Sequence, residues 1–201
     1  MLTIGLTGGI GTGKSEVTRL LEALGASVIY ADRIGHEAYK HPSPIWQEVV
    51  NAFGKGILGS DGEIDRKKLG SLVFSDPGAM EKLNAIMHPK MAEIIDDKIS
   101  QFRNAGAEMV VVEAALLLEA GWDSMVDEVW LVHAPKEAIV ERLKVRSHLS
   151  EGEVEDRMRS QLSYEESSRL AQVVIHNTGD LSELRSKVES AWISRTKGKV
   201  S

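Results

Sequence analysis

An α/β fold with a parallel sheet is what this sequence predicts, and three observations carry that reading. The apolar runs are short, rich in β-branched residues and separated by stretches of helical periodicity, the alternation of strands joined by crossover helices. The first run leads straight into a glycine-rich turn and then an amphipathic helix, the strand–turn–helix unit of a phosphate-binding loop. Two stretches interrupt the rhythm, the first far too long to be a plain connection and the second short and polar.

In chain order, strands are expected at Leu2–Thr7, Ser27–Tyr30, Met109–Glu113, Glu128–Ala134 and Val173–His176. The first crossover helix spans about Lys14–Leu24, with Gly25 just past its C-terminus, where a left-handed residue ends a helix. Right-handed crossovers bring the strand C-termini to one edge, where α/β proteins bind ligands. The first interruption, from Arg33 to about Ala107, reads as helical and strand-poor. Pro42 and Pro44 break it, Gly54–Gly62 makes a loop, and Asp65 caps the helix that follows. The second, about Glu141–Leu170, contains Ser150…Glu153 and Ser163…Glu166, two fits to the Ser-x-x-Glu capping box. Two short helices on the ligand edge are expected there, forming a lid. The last helix starts near Asp180, with Glu183 completing another box, and runs to about Arg195. The division is therefore a core of residues 1–31, 107–140 and 171–201, a helical insertion of residues 32–106, and a lid of residues 141–170.

At 201 residues, 42% hydrophobic and 27% charged, the chain can bury a real core, and disorder is excluded. The formal charge of −6 argues against a nucleic-acid surface, which needs a basic face. No apolar run reaches the roughly 20 residues of a membrane span, and no signal peptide is visible at the start. With no cysteine there are no disulfides or thiolate metal sites. A cytoplasmic protein is expected, acting as a monomer or a weak homo-oligomer. An anionic substrate must be held by a few placed cations and backbone amides.

Gly8-Gly9-Ile10-Gly11-Thr12-Gly13-Lys14-Ser15 matches G-x-x-x-x-G-K-[ST] in full, between a strand and a helix. The glycines let several N–H groups converge on one phosphate, and the helix N-terminus adds its dipole. Lys14 is expected on the β- and γ-phosphates of ATP and Ser15 on Mg²⁺. Asp32 directly follows the second strand, which is expected to lie near the first. There it could accept a proton from an acceptor hydroxyl, or it could cap the next helix, and chemistry alone leaves both open. Asp32-Arg33-Ile34-Gly35 also fits the D-x-x-G of GTPase switches, but no Asn in the chain is followed by Lys, so the guanine-reading N-K-x-D is absent.

The stretch Leu6-Thr7-Gly8-Gly9-Ile10-Gly11-Thr12-Gly13-Lys14-Ser15, with Leu24-Gly25-Ala26 and Ala31-Asp32, resembles the dephospho-CoA kinase family. Further matches follow in order over nearly the whole chain. They are Asn84 with His88-Pro89, Leu116-Leu117-Leu118-Glu119 with Gly121-Trp122, Arg142 with Arg146, Arg157 with Gln161, and Val174-Ile175 with Asn177 and Gly179. The resemblance implies a P-loop nucleotide-kinase fold with a five-stranded parallel core, a helical acceptor domain and a lid. It implies transfer of the γ-phosphate of ATP to the ribose 3′-hydroxyl of dephospho-CoA, the last step of coenzyme A synthesis, with Mg²⁺. Nucleotide contacts are then expected from Gly8 through Ser15, Glu16, Arg142, Arg146, Asn177 and Gly179. Lys14 and Arg146 would stabilise the transferring phosphate, and Asp32 aligns with the family's proposed general base. The sequence departs from the pattern at Tyr30, Ala92, Glu113, Ala115, Ser147 and Gln172. Ala92 matters most, because it stands where a cation is often found.

Other candidates have two readings each. Arg142 and Arg146, at i and i+4, can share one polyphosphate or pair with Glu137 and Glu141. Glu113 ends a strand on the ligand edge, where it could hold a Mg²⁺-bound water or cap a turn. His88 could orient the acceptor, although a histidine before Pro89 reads as the start of a helix. Asn177 and Gly179 approach adenine or merely form a turn. The remaining histidines show no paired metal spacing, and the four tryptophans read as core. A kinase of nucleosides or nucleotides and a nucleotide-dependent switch are the alternatives.

Overall fold

The computed structural model describes residues 1–146 and 161–196, and the side chains of residues 144–146 are outside that description. Five strands form one sheet: β1 (Leu2–Thr7), β2 (Ser27–Tyr30), β3 (Met109–Glu113), β4 (Glu128–His133) and β5 (Val173–His176). Their bounds follow the periodicity, except that β4 stops one residue early. The sheet order is β2-β3-β1-β4-β5, and the pairs β1–β3, β1–β4 and β4–β5 are parallel. β3 therefore separates β2 from β1, which corrects the expectation that the second strand lies near the first. Crossover length does not encode which neighbour a strand chooses.

Eight α-helices are described: α1 (Lys14–Ala23), α2 (Ala31–Ala38), α3 (Pro44–Phe53), α4 (Arg66–Ser75), α5 (Pro77–Asn104), α6 (Lys136–Arg146), α7 (Tyr164–Leu170) and α8 (Leu181–Thr196). The chain divides into two compact units, Met1–Ile29 with Ile99–Ser201, and Tyr30–Lys98. The boundary falls inside α5 and not in a linker.

In the first unit the sheet is buried on both faces. All five residues of β3 are buried, which is why that strand reads as an unbroken apolar run. One face packs Ile4, Leu6, Val111, Trp130, Val132 and Ile175 against Val17 and Leu21 of α1 and Leu184 and Val188 of α8. The register sets Leu6 opposite Glu113, and the Ala114 N–H bonds the Leu6 carbonyl at 3.1 Å. The end of β3 is thus pinned beside the turn that follows β1.

The second unit is helical apart from a single Leu58–Ile64 bridge. Local chemistry sets its helix starts. The Ser43 hydroxyl accepts the Trp46 N–H at 2.9 Å with Pro44 beginning α3, and Asp65 accepts from Lys67 at 2.9 Å and Lys68 at 3.3 Å at the head of α4. Pro89 lies inside the 28-residue α5. His88-Pro89 therefore does not start a helix. Pro89 removes one backbone donor, but it is exposed, while Met87, Met91, Ile95 and Ile99 of the same helix are buried and hold it in place.

Candidate active site

The turn after β1 gets its shape from backbone dihedrals that only glycine adopts freely. Gly13, which precedes α1, is left-handed with φ 97° and ψ 18°. A Cβ there would also collide with the Asn177 side-chain amide. Having no side chain, Gly13 cannot cap α1, and its carbonyl accepts the Glu16 and Val17 N–H groups at 3.0 and 3.2 Å. The first amides of the helix are thus left for an anion. Thr12 closes the turn: its hydroxyl donates to the Gly9 carbonyl at 2.8 Å and its N–H to the same oxygen at 3.3 Å.

Several side chains from distant elements converge on this turn. Lys14 Nζ lies 2.7 Å from Glu113 Oε1, with both side chains nearly buried. Asn177 is buried after β5, and its Nδ2 donates to the Thr12 carbonyl at 2.8 Å. Arg142 on α6 donates to the Thr12 carbonyl at 3.4 Å and to the Asn177 carbonyl at 3.2 Å. Gln161 receives the Ile10 N–H at 3.1 Å and donates to the Ala115 carbonyl at 3.3 Å. Arg142 and Asn177 therefore brace the cradle directly, and neither Glu137 nor Glu141 is the partner of Arg142 in these contacts. Gln161 was visible in the sequence only as part of a family match. Nothing in its spacing, 151 residues from Ile10, marks it as a neighbour of the turn.

The other expected site residues are placed as follows. Glu16 pairs with Arg19 at 2.9 Å within α1, and Ser15 is exposed in the first turn of that helix. Gly8, Gly9, Ile10 and Gly11 form the turn itself, and a Cβ on Gly8 would lie 2.5 Å from the Val132 carbonyl. Gly179 leaves room for the Glu183 carboxylate, which a Cβ would strike. Arg146 ends α6, and its side chain is outside the described residues, as are Arg157 and the Ser150…Glu153 box. The second box forms as expected: Ser163 Oγ accepts the Glu166 N–H at 3.2 Å, and Glu166 accepts the Ser163 N–H at 3.0 Å. The hydroxyl and N–H of Ser163 hold the Glu166 carboxyl below its usual range.

Two of the histidines without paired metal spacing form a ring cluster with Tyr164. His133 and His176 are register partners at the ends of β4 and β5, with centroids 5.7 Å apart. Tyr164 stacks on His133 at 3.9 Å. Burial, and after it the charge of His176, lowers the His133 pKa, against a smaller opposing pull from Glu165.

In the second unit, Asp32 is the second residue of α2 and is exposed. The position before the helix is Tyr30, and no side chain caps it. This closes the question that chemistry left open on one side: Asp32 does not cap α2. A carboxylate in the first turn still favours the helix dipole. His88 lies in mid-helix in this unit.

For a divalent cation, the sequence-predicted donors are the Ser15 hydroxyl and the Glu113 carboxylate, oxygen ligands of the type Mg²⁺ takes. One oxygen of Glu113 is already held by Lys14. Among the described residues no group of three or more His, Cys, Asp or Glu could hold a metal by itself. The set therefore fits an ion that arrives with a nucleotide's phosphates and keeps several waters.

Residues 2–183 match the family model described as dephospho-CoA kinase. A dephospho-CoA kinase of Geobacter sulfurreducens is 45% identical over 97% of this chain and 99% of its own length. A crystal structure from Thermus thermophilus is 35% identical, with a TM-score of 0.84 over 97% of each chain. A dephospho-CoA kinase structure from Campylobacter jejuni is 27% identical, with a TM-score of 0.72 over 98% of each chain.

Proposed function

Because the chain belongs to the dephospho-CoA kinase family, we infer that it transfers the γ-phosphate of ATP to the ribose 3′-hydroxyl of dephospho-CoA, completing coenzyme A. The observation that carries this reading is the cradle: a left-handed Gly13 frees the first amides of α1, with Lys14 held 2.7 Å from Glu113 beside them. Phosphoryl transfer has a loose transition state, so positioning and charge do most of the work. In the roles proposed, the backbone amides of the turn that have no partner within it, with those of Lys14 and Ser15, receive the phosphates, and Lys14 moves from Glu113 onto the β- and γ-oxygens. Arg142 and Asn177 keep the Thr12 carbonyl turned away from the anion. Arg146 and the segment of residues 141–170 would close over ATP and exclude water.

Ser15 and Glu113 would hold Mg²⁺, an ion that supplies neutralisation of phosphate charge. Asp32 accepts the proton of the 3′-hydroxyl as its oxygen bonds the γ-phosphorus and the bond to ADP breaks. Residues 32–106 would hold the acceptor, with His88 a further contact, and residues 1–31, 107–140 and 171–201 the nucleotide. The absence of a membrane-crossing helix among the described residues is compatible with the expected cytoplasmic setting.

The reading is tested by ADP formation with dephospho-CoA, AMP, UMP, CMP and nucleosides as acceptors. Dephospho-CoA should be preferred by a wide margin, and equal rates with the nucleotides would overturn the assignment. For Asp32, single-turnover transfer by Asp32→Asn should fall about 10²–10⁴-fold, toward the low end because deprotonation is late in a loose transition state. ATP-analogue binding and melting temperature should stay as in the wild type, since the residue is exposed and caps nothing. A near-normal rate would give the proton-accepting role to another carboxylate.

A further inference from the structure

One amide of the turn after β1 is held from outside the turn. The Ile10 N–H donates to Gln161 Oε1 at 3.1 Å, and Gln161 Nε2 donates to the Ala115 carbonyl at 3.3 Å. Both partners are backbone groups of fixed role, one a donor and the other an acceptor, so together they settle which way the side-chain amide points. Gln161 thus joins the turn that carries Lys14 to the chain just beyond Glu113, whose carboxylate lies 2.7 Å from Lys14. A Cβ on Gly9 would lie 3.5 Å from the same Oε1, so the oxygen rests against the turn.

The side chain can leave without moving its own backbone. Leu162 donates its N–H to Glu119 Oε1 at 2.8 Å, and the Ser163–Glu166 box fixes the start of α7. Neither contact uses the Gln161 amide. Gln161 is half-buried and unbranched, and turning it away from Ile10 is a rotamer change. Arg142 and Asn177 differ, because both bond the Thr12 carbonyl, a group that no anion seeks. Gln161 covers a donor instead. A phosphate oxygen is a stronger acceptor for that N–H than a neutral amide oxygen.

We propose, on the reading of the turn as an ATP cradle, that Gln161 is a placeholder for the γ-phosphate. It holds the Ile10 N–H while the cradle lacks ATP, yields it to the terminal phosphate, and takes it back once that phosphate has been transferred. The amides of Lys14 and Ser15 lie at the helix end of the turn, and Ile10 lies toward β1. With Lys14 on the β- and γ-oxygens, the oxygens that reach Ile10 belong to the phosphate on the side of Glu113 and Ala115, the one ADP lacks. The N–H has a single proton to give. ATP therefore has to break the bond to Gln161, and ADP does not. Gln161 is a positioning residue in this scheme, linking the two turns whenever the γ-phosphate is absent.

The test measures binding of ADP and of a non-hydrolysable ATP analogue to the full chain by titration calorimetry. In Gln161→Leu the competing oxygen is gone, so Kd for the analogue should fall about 2–10-fold, the range of one net hydrogen bond. Kd for ADP should change less than about twofold. Gln161→Glu keeps an acceptor at Ile10 and adds a negative charge, so it should weaken the analogue more than ADP. In the wild type, the NMR resonances of the Ile10 N–H and the Gln161 side-chain amide should move with the analogue and stay in place with ADP. The nucleotide-free Leu variant should also melt lower, because the Ala115 carbonyl loses its donor. A purely structural role would give that loss without the contrast between nucleotides. Equal changes for the two nucleotides, or weaker analogue binding by Gln161→Leu, overturn the proposal. If the Leu variant does not fold, resonances that ADP moves as far as the analogue, or equal weakening of both by Gln161→Glu, overturn it. Wild-type protein that binds neither nucleotide overturns the cradle reading itself, and this one with it.

Discussion

The turn after β1 and the polar face of α2 solve opposite problems. Around the turn, the polar side chains are mostly buried and spoken for: Lys14 by Glu113, Asn177 by the Thr12 carbonyl, Gln161 by Ile10 and Ala115. On α2, Asp32 and His36 are exposed, as is Arg66 on α4. The first arrangement suits a ligand whose phosphates are the same in every turnover, because dipoles fixed in advance need no reorganisation when charge arrives. The second leaves its groups in water, where the proposed acceptor would desolvate them. Substitutions around the turn should therefore cost stability and activity together, whereas those on the α2 face should cost activity alone. Asp32→Asn tests the second half of that contrast.

The strongest test of the first half is Lys14→Ala. Removing the cation proposed to face the transferring phosphate should lower single-turnover transfer about 10²–10³-fold. It also leaves the Glu113 carboxylate buried without its partner, so the melting temperature should fall as well. Adding Glu113→Gln to Lys14→Ala should recover part of that stability, a coupling that thermal melts of the two single variants and the double would read. Loss of rate with an unchanged melting temperature would mean the 2.7 Å pair contributes no stability and would break the comparison.

Glu113→Gln alone is the next largest effect. Breaking a buried pair from one side costs about 3–5 kcal/mol, with the low end expected because neither side chain is completely buried. ATP supplies anionic oxygens to Lys14, so the variant should gain more melting temperature from ATP than the wild type does. Equal gains would show that Lys14 does not exchange Glu113 for phosphate.

The smallest effect belongs to the ring cluster. The folded-state pKa of His133 is lowered from 6.5, so the unfolded chain binds the proton more tightly. The stability that the neutral ring contributes is complete above that value. It is lost as pH falls from about 6.5 toward the folded pKa. His133→Gln should flatten the dependence of melting temperature on pH between about 7 and 5. A slope equal to wild type would mean that the stack with Tyr164 tolerates the charged ring.

Capping shows how far local chemistry reaches. Asp65, and Ser163 with Glu166, cap the helices that their spacing announces, because a cap involves groups only two or three residues apart. The same logic failed for Asp32. β2 leads directly into α2 with no residue between them, and the carboxylate falls inside the first turn. It failed again at Pro89, where the buried positions on either side of the proline outweigh the loss of one hydrogen bond.

By itself the sequence determined the α/β class, the strand positions, the capped helix starts and the glycine turn with Lys14 and Ser15. Each depends on periodicity or on dihedrals within a few residues, and such information is written locally. Only the tertiary structure decided that β3 lies between β1 and β2, and that Glu113 faces Lys14. It alone brought Asn177 to Thr12 across 165 residues and Gln161 to Ile10 across 151. Those contacts come from sheet order and helix packing, which follow from burying the whole apolar surface at once, and no window of neighbouring residues contains that constraint.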